Sequence, residues 1–151
     1  IIETATDNRN RTGPEVRTAL SKSGGRMADA GSVAYQFDQK GIIRLQPEDS
    51  EVATLDAIEA GADDIETDND ELVVYSKANQ LNAVQTKLSE MGYDVKSAEL
   101  AYVPKVTMVI EDEKAARQLL KLMEILDEMD DVTATHANFD LSEDVAERLT
   151  A

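Results

Sequence analysis

The chain has 151 residues, of which 31 are acidic and 15 are basic, so its formal net charge at pH 7 is −16. It has no cysteine, which excludes disulfides, thiol catalysis and thiolate metal sites. No stretch approaches the roughly 18 consecutive apolar residues that cross a bilayer, so we expect a cytoplasmic protein without membrane contact. The length suffices for one ordinary domain or two small ones.

The charge is distributed unevenly along the chain. Residues 1–46 hold seven basic and five acidic residues, a net charge of +2, whereas residues 47–151 hold eight basic and 26 acidic residues, a net charge of −18. Acidic surfaces repel nucleic-acid phosphates over about 8–10 Å. We therefore expect any phosphate contact in the first third of the chain. The alternative is that the acidity serves solubility alone.

The first third has the pattern β-α-β-β. Ile1 to about Thr6 is a strand already under way without an initiator methionine, so we expect a fragment of a longer protein. Thr12 is the predicted N-cap of a helix, with Glu15 closing a capping box, and Gly24-Gly25 ends that helix. Two further strands are predicted, joined by a turn at 38–41; they cover residues 32–37 and 42–45.

The middle of the chain has the pattern α-β-β-α-β. A helix is predicted from about Glu51 to Ala60, with Val52, Leu55 and Ile58 facing inward and Gly61 ending it. The next elements are a hairpin across Asn69-Asp70, a helix and an extended segment; they cover residues 65–68 with 72–76, about 78–91, and 93–103.

The last third supplies a strand, a long helix, another strand and a short helix, covering residues 106–110, about 112–129, 132–139 and 143–149. Its first helix and following strand would complete a βαββαβ plait begun by residues 1–46. The predicted fold class is therefore α+β, with two ferredoxin-like modules, the second inserted into the first. The first module comprises residues 1–46 plus 106–151, and the inserted module comprises residues 47–105.

Catalytic chemistry has little support in the sequence. His136 is the only histidine, and no nucleophile elbow, Walker loop or dinucleotide-binding glycine motif is present. The acidic run Asp63–Glu71 does not fit the calcium-binding loop of an EF-hand. If Asp64 is the first ligand, Asn69 stands at the sixth position, where glycine is needed, and Tyr75 at the twelfth, where glutamate is needed. We expect no catalytic residue, no cofactor, no metal site and no small-molecule substrate.

The basic segment before the first helix is the informative feature. Asn8-Arg9-Asn10-Arg11-Thr12 is predicted as a loop that leads into a helix N-terminus, and guanidinium groups beside unpaired helix amides suit an anion such as phosphate. Arg17 and Lys22 could extend one basic strip along the helix. The candidate nucleic-acid or phosphate-binding residues are Asn8, Arg9, Asn10, Arg11, Thr12, Arg17, Lys22 and Arg26. Alternatively, the polar residues shape the turn and the arginines pair with local acids.

Several stretches together resemble the YebC/PmpR family: Asp7–Thr12, Glu15-Val16-Arg17, Ser21–Gly25, Gly31–Phe37, Glu59–Asp64, Asp130-Asp131-Val132 and Asn138–Leu141. The resemblance covers nearly the whole chain. It implies that residues 1–46 plus 106–151 are the family's second domain and residues 47–105 its third. The family's basic N-terminal helical domain would then be missing. Pro14 and Ser23 depart from the family pattern without touching the basic segment.

The resemblance implies a non-enzymatic regulator of gene expression. Two partners are open, the ribosome with its RNA and duplex DNA, and either would be bound largely through the missing basic N-terminal domain. A chain with a net charge of −16 is poorly suited to bind duplex DNA, because affinity for a duplex depends on neutralising several phosphates. We therefore expect a ribosome- or RNA-associated translation factor, with a DNA-binding transcriptional regulator as the alternative, acting as a monomer or a weak dimer.

Overall fold

The computed structural model describes residues 1–29 and 31–151. The chain packs as two compact units: unit 1 is Ile1–Phe37 with Pro104–Ala151, and unit 2 is Asp38–Val103. The α+β class and the insertion of one module into the other are confirmed. Among the described residues, no helix combines the length and apolarity needed to span a bilayer.

Unit 1 begins with a short strand and a long helix. Strand β1 is Ile2–Thr4 and helix α1 is Arg9–Lys22. Val16 and Ala19 of α1 are buried, so one face of this helix contributes to the core of unit 1. Ser23 is the C-cap of α1, and Gly24, the next residue, adopts φ +82°, the left-handed conformation that glycine tolerates best.

Unit 2 has the ferredoxin-like order β-α-β-β-α-β. Its elements are β2 (Phe37–Leu45), α2 (Ser50–Ala60), β3 (Asp64–Asp68), β4 (Glu71–Lys77), α3 (Leu81–Glu90) and β5 (Val95–Pro104). The sheet order is β3-β4-β2-β5, and β4 runs antiparallel to both β2 and β3. The hairpin predicted across Asn69-Asp70 is confirmed. Helices and sheet enclose one core, formed by Ile43, Leu45, Ala53, Ala57, Ala60, Leu72, Val74, Val84 and Leu88.

The predicted hairpin of residues 32–37 and 42–45 is wrong. Ala34–Gln36 form one turn of 3-10 helix, and β2 runs unbroken through the predicted turn at 38–41. Residues 40–45 pair with β4, so they belong to the inserted unit. The unit boundaries therefore lie at 37/38 and 103/104, whereas the sequence placed them after residues 46 and 105.

Gly41 misled the turn prediction because its role is steric. A Cβ atom at this position would overlap Ser76 Oγ and lie 2.8 Å from Leu81 Cδ1. The absence of a side chain thus lets β4 and the start of α3 approach β2 closely, which is a recognised use of glycine inside a strand.

Helix α2 is rotated relative to the prediction. Its buried residues are Ala53, Ala57 and Ala60, whereas the side chains predicted to face inward are exposed: Val52 by 51%, Leu55 by 68% and Ile58 by 58%. Alanine on the inner face allows a helix to approach its neighbours closely. The large apolar side chains therefore lie on the surface.

Unit 1 resumes with β6 (Met108–Ile110), α4 (Glu113–Asp127), β7 (Val132–Thr135), β8 (Phe139–Leu141) and α5 (Glu143–Thr150). β1 pairs with β7 antiparallel, and β6 pairs with β8 parallel. The single strand predicted over 132–139 is thus two strands that join different partners. A core of Val16, Ala19 and Leu126 lies between α1 and α4.

Candidate functional site

Helix α1 begins one turn earlier than predicted. Asn8, not Thr12, is the N-cap: its backbone is extended and its side-chain oxygen accepts a hydrogen bond of 3.1 Å from the Asn10 amide. Arg9 and Arg11 are therefore in the first helical turn rather than in a loop. The helix start carries no acidic residue, so the positive end of its dipole is not neutralised there by a carboxylate of its own first turn.

Thr12 and Arg11 are occupied by a structural contact with Asp131. The Thr12 hydroxyl donates a hydrogen bond to the Asp131 carboxylate, and Arg11 Nη2 lies 2.9 Å from Asp131 Oδ2. Arg11 also pairs with Asp7 at 3.1 Å, and Thr6 Oγ1 donates to Asp131 at 3.1 Å. Two of the candidate residues therefore hold the start of α1 to the turn before β7, as the alternative interpretation proposed.

Arg9 faces a different side of α1. It precedes Val16 by seven residues, almost two full helical turns, so both project to the same side, and Arg11 lies about 200° around the helix from Arg9. On that side is a cleft of about 1020 Å³, bounded by β1, α1 and residues 26–29 and 31–34. Arg9 lines this cleft, which we call the α1 cleft.

Arg26 lines the same cleft from the opposite segment. Two guanidinium groups thus border one concave surface whose other sides include Val16, Leu20 and Met27. Both arginines are exposed, and neither forms an ion pair with any described residue. Asp29 also lines the cleft. Its single negative charge does not cancel the two arginines, so the side chains around the cleft have a net positive charge. This arrangement suits a ligand with an anionic group and an apolar or aromatic part, such as a nucleotide unit.

The remaining candidates do not join this cleft. Arg17 is exposed about 100° around the helix from Val16. Lys22 borders a smaller cleft of about 460 Å³ on the α4 side, beside Ile125 and Met129. The single basic strip suggested by the sequence is therefore divided: Arg9 and Arg26 line the same cleft, while Arg11, Arg17 and Lys22 lie elsewhere.

His136 has a structural environment. Its Nε2 lies 2.8 Å from Glu3 Oε2, and its backbone N–H donates to the Ile1 carbonyl at 2.8 Å. These contacts extend the β1–β7 pairing by one residue. The acidic run 63–71 forms the β3–β4 hairpin, and within residues 1–29 and 31–151 no group of three His, Asp or Glu side chains is arranged to hold a metal ion.

The exposed apolar side chains of α2 are a surface feature that sequence reasoning missed. The missed signal is the alanine spacing at 53, 57 and 60, which marks one helical face for close packing as clearly as the larger side chains mark the other.

Comparisons with known proteins place these features in a family. Residues 1–139 match the profile described as TACO1/YebC second and third domain. A protein of Herpetosiphon aurantiacus named "Probable transcriptional regulatory protein" is 41% identical over 151 residues, covering 98% of this chain and 60% of that protein. A Synechococcus protein of the same name is 43% identical over 150 residues, covering 99% of this chain and 60% of that protein.

A solved structure is also similar. The crystal structure of a conserved hypothetical protein from Aquifex aeolicus has a TM-score of 0.87 and 35% sequence identity, covering 94% of this chain and 59% of that one. The chain thus spans about three-fifths of the length of the relatives that it matches.

Proposed function

Since the chain belongs to the TACO1/YebC family, matching its second and third domains, we propose that it is part of a non-enzymatic regulator of gene expression that acts on the ribosome and its RNA. The observation that carries this proposal is that Arg9 and Arg26 both line the α1 cleft. Both arginines are exposed and form no ion pair with a described residue, which suits phosphate binding, and the apolar residues of the same lining suit contact with a base.

The charge distribution supports RNA over duplex DNA. Unit 2 holds fifteen acidic and five basic residues, a net charge of −10, and unit 1 has a net charge of −6. A duplex presents one negative charge per about 1.7 Å of helix axis, so a long contact would bring it against carboxylates. A single cleft with two arginines can instead take one exposed nucleotide of a folded RNA, because unstacked bases are the usual targets of RNA recognition.

A second candidate function is duplex DNA binding in transcriptional control. The name of the two relatives, "Probable transcriptional regulatory protein", favours it. In this alternative the α1 cleft would contact one backbone phosphate, and sequence selectivity would come from parts of the relatives that lie outside the matched three-fifths.

Co-sedimentation with ribosomes in sucrose gradients tests the proposal. The double variant Arg9→Gln/Arg26→Gln removes both cleft charges without touching the Arg11–Asp131 pair. Hydrogen bonds to charged groups contribute about 1.5–3 kcal/mol each, and 1.4 kcal/mol is a factor of ten. We therefore expect the double variant to bind ribosomes at least about tenfold more weakly than the unmodified chain.

The matched control is Lys114→Gln/Lys121→Gln, which removes the same charge from exposed positions of α4 and should bind within about twofold of the unmodified chain. Equal loss in both variants would mean that only net charge matters and would contradict the cleft. Displacement of the chain from ribosomes by excess duplex DNA of one sequence, but not of a scrambled one, would support the alternative function.

A further inference from the structure

The outer surface of α2 carries an uninterrupted row of large apolar side chains. Val52, Leu55 and Ile58 are each at least half exposed and follow one another at three-residue spacing. With about 100° per residue they cover an arc of about 120°. The arc centres almost opposite the alanines that face the core. We call these three residues, with the two glutamates described next, the α2 outer face.

The same arc is acidic. Glu51 and Glu59 project between the apolar side chains by the same helical geometry, and neither forms an ion pair with any described residue. They belong to a longer acidic region, because residues 45–76 contain eleven acidic residues and no basic one. The apolar row is therefore bordered by carboxylates without local neutralisation.

The orientation of this face is held by contacts on the other side of the helix. Ala53 and Ala57 are fully buried, and the Tyr93 hydroxyl donates a hydrogen bond to the Asp56 carboxylate. Rotating α2 to bury Leu55 would drive larger side chains into space that alanine now fills. The apolar row therefore stays on the side of α2 that faces away from the core of unit 2.

We propose that the α2 outer face is a docking site for a basic amphipathic helix of a partner protein. Large exposed apolar patches bordered by polar residues mark interaction sites, and amphipathic helices bind through apolar anchors at three- and four-residue spacing. The carboxylates repel nucleic acid and anionic lipid, whereas they attract lysine and arginine beside the apolar anchors. This charge complementarity identifies the occupant as a basic protein segment.

The dimensions of the face set the size of the partner segment. Val52 and Ile58 are six residues apart, or about 9 Å along the axis at 1.5 Å per residue. A partner helix of two to three turns, about 10 residues, therefore covers the row.

Peptide titration tests the docking site directly. The probe is a 14-residue leucine–lysine peptide with leucines at helical 3,4 spacing, added to the ¹⁵N-labelled chain and followed by backbone amide shifts. We expect the largest shifts in residues 50–60. The variant Leu55→Ser/Ile58→Ser should weaken binding at least about tenfold, as central apolar anchors do, and the variant Glu51→Gln/Glu59→Gln should weaken it several-fold at about 50 mM salt.

Two control variants distinguish binding at the α2 outer face from non-specific binding of the peptide. Val106→Ser/Leu120→Ser removes two exposed apolar side chains of unit 1, and Glu143→Gln/Glu147→Gln removes two exposed charges from α5; both should bind within about twofold of the unmodified chain. A scrambled peptide of equal composition that binds equally well would overturn the proposal. Amide shifts that are largest outside α2 would also overturn it. So would self-association of the chain that depends on concentration and is lost in Leu55→Ser/Ile58→Ser, because the occupant of the face would then be a second copy of this chain. Ribosome binding through Arg9 and Arg26 is independent of these residues, so either proposal can fail alone.

Discussion

The carboxylate of Asp131 accepts hydrogen bonds from three side chains of the N-terminal segment, Thr6, Arg11 and Thr12. These hydrogen bonds hold the pKa of Asp131 below its usual value. The hydrogen bond from Thr12 has the largest effect on the pKa and the one from Arg11 the next largest. Because the donors come from residues 6–12 and the acceptor lies about 120 positions later, the contact joins the two sequence segments that form unit 1.

The pH dependence of this contact has a definite sign. The carboxyl group of the unfolded chain titrates near its ordinary pKa of about 3.9, and that of the folded chain titrates lower. The folded state therefore binds the proton less readily than the unfolded state. The stabilisation is present above the unfolded pKa and is lost as the pH falls through the folded pKa.

Asp131→Asn should lower the free energy of unfolding at pH 7, because the amide can neither pair with Arg11 nor accept from three donors as a carboxylate does. The difference from the unmodified chain should begin to shrink below about pH 4, where the unfolded chain takes up a proton at Asp131, and should disappear once the pH is below the lowered pKa of the folded chain. Urea unfolding at pH 7 and at pH 3.5 measures both effects. Asp130→Asn, at an exposed position with no side-chain partner among the described residues, is the control. An equal effect of the two variants would contradict the structural role of Asp131.

At the scale of the element, α2 shows that two helical faces can both look like an interior face. Alanines recur at 53, 57 and 60, and larger apolar residues recur at 52, 55 and 58. Periodicity predicts that one apolar face is buried, and the larger side chains usually mark it. In unit 2 the alanine face is buried.

Two substitutions in α2 test this orientation. Ala57→Leu should reduce the free energy of unfolding by about 1–3 kcal/mol, because it inserts side-chain volume into a filled core. Leu55→Ala should change it by less than about 0.5 kcal/mol, because Leu55 is exposed. Chemical denaturation of both variants measures the contrast. The reverse order, with Leu55→Ala costing about 2–5 kcal/mol as a buried leucine does, would show that the helix faces the other way.

Helix α1 gives a second example at this scale. The sequence shows that basic residues cluster in this segment, but it does not show how the charges divide around the helix. Arg9 and Arg26 line the same cleft because residues 26–29 lie across it from α1, and no local sequence pattern predicts that arrangement.

At the scale of the whole molecule, unit 2 has the attributes of an independent domain. It holds a complete four-stranded ferredoxin-like sheet and its own core, and it forms from one continuous segment. Unit 1 depends on two segments separated by the insertion. A domain that is continuous in sequence needs no long loop closure to form.

The isolated segment 38–103 should therefore fold alone. We expect a cooperative thermal transition with a stability of no more than about 3–5 kcal/mol, which a single core of this size rarely exceeds. Circular dichroism and chemical denaturation of the fragment provide the measurement, with Gly41→Ala as a destabilised reference because its Cβ would clash with Ser76 and Leu81. A fragment with secondary structure but no cooperative transition would show that unit 2 requires unit 1.

The sequence by itself determined the α+β class, the helices in their order, the β3–β4 hairpin, the insertion of one module into another and the family. The helices and the hairpin rest on local signals, namely apolar spacing, glycines after helices and an Asn-Asp turn, whereas the insertion rests on the order of the elements and the family on motifs along nearly the whole chain. The local signals act over a few residues, and the structure reproduces the helices and the hairpin that they predict.

Only the tertiary structure decided the strand partners of residues 37–45, the buried face of α2 and the side chains or cleft that each candidate arginine contacts. Each depends on a contact between distant parts of the chain: Gly41 with Ser76 and Leu81, the alanines of α2 with the core of unit 2, and Arg11 with Asp131. A local pattern can show that a side chain could be buried or paired. Which partner it meets is set by the three-dimensional packing, because alternatives of similar local quality are separated only by how well distant surfaces fit.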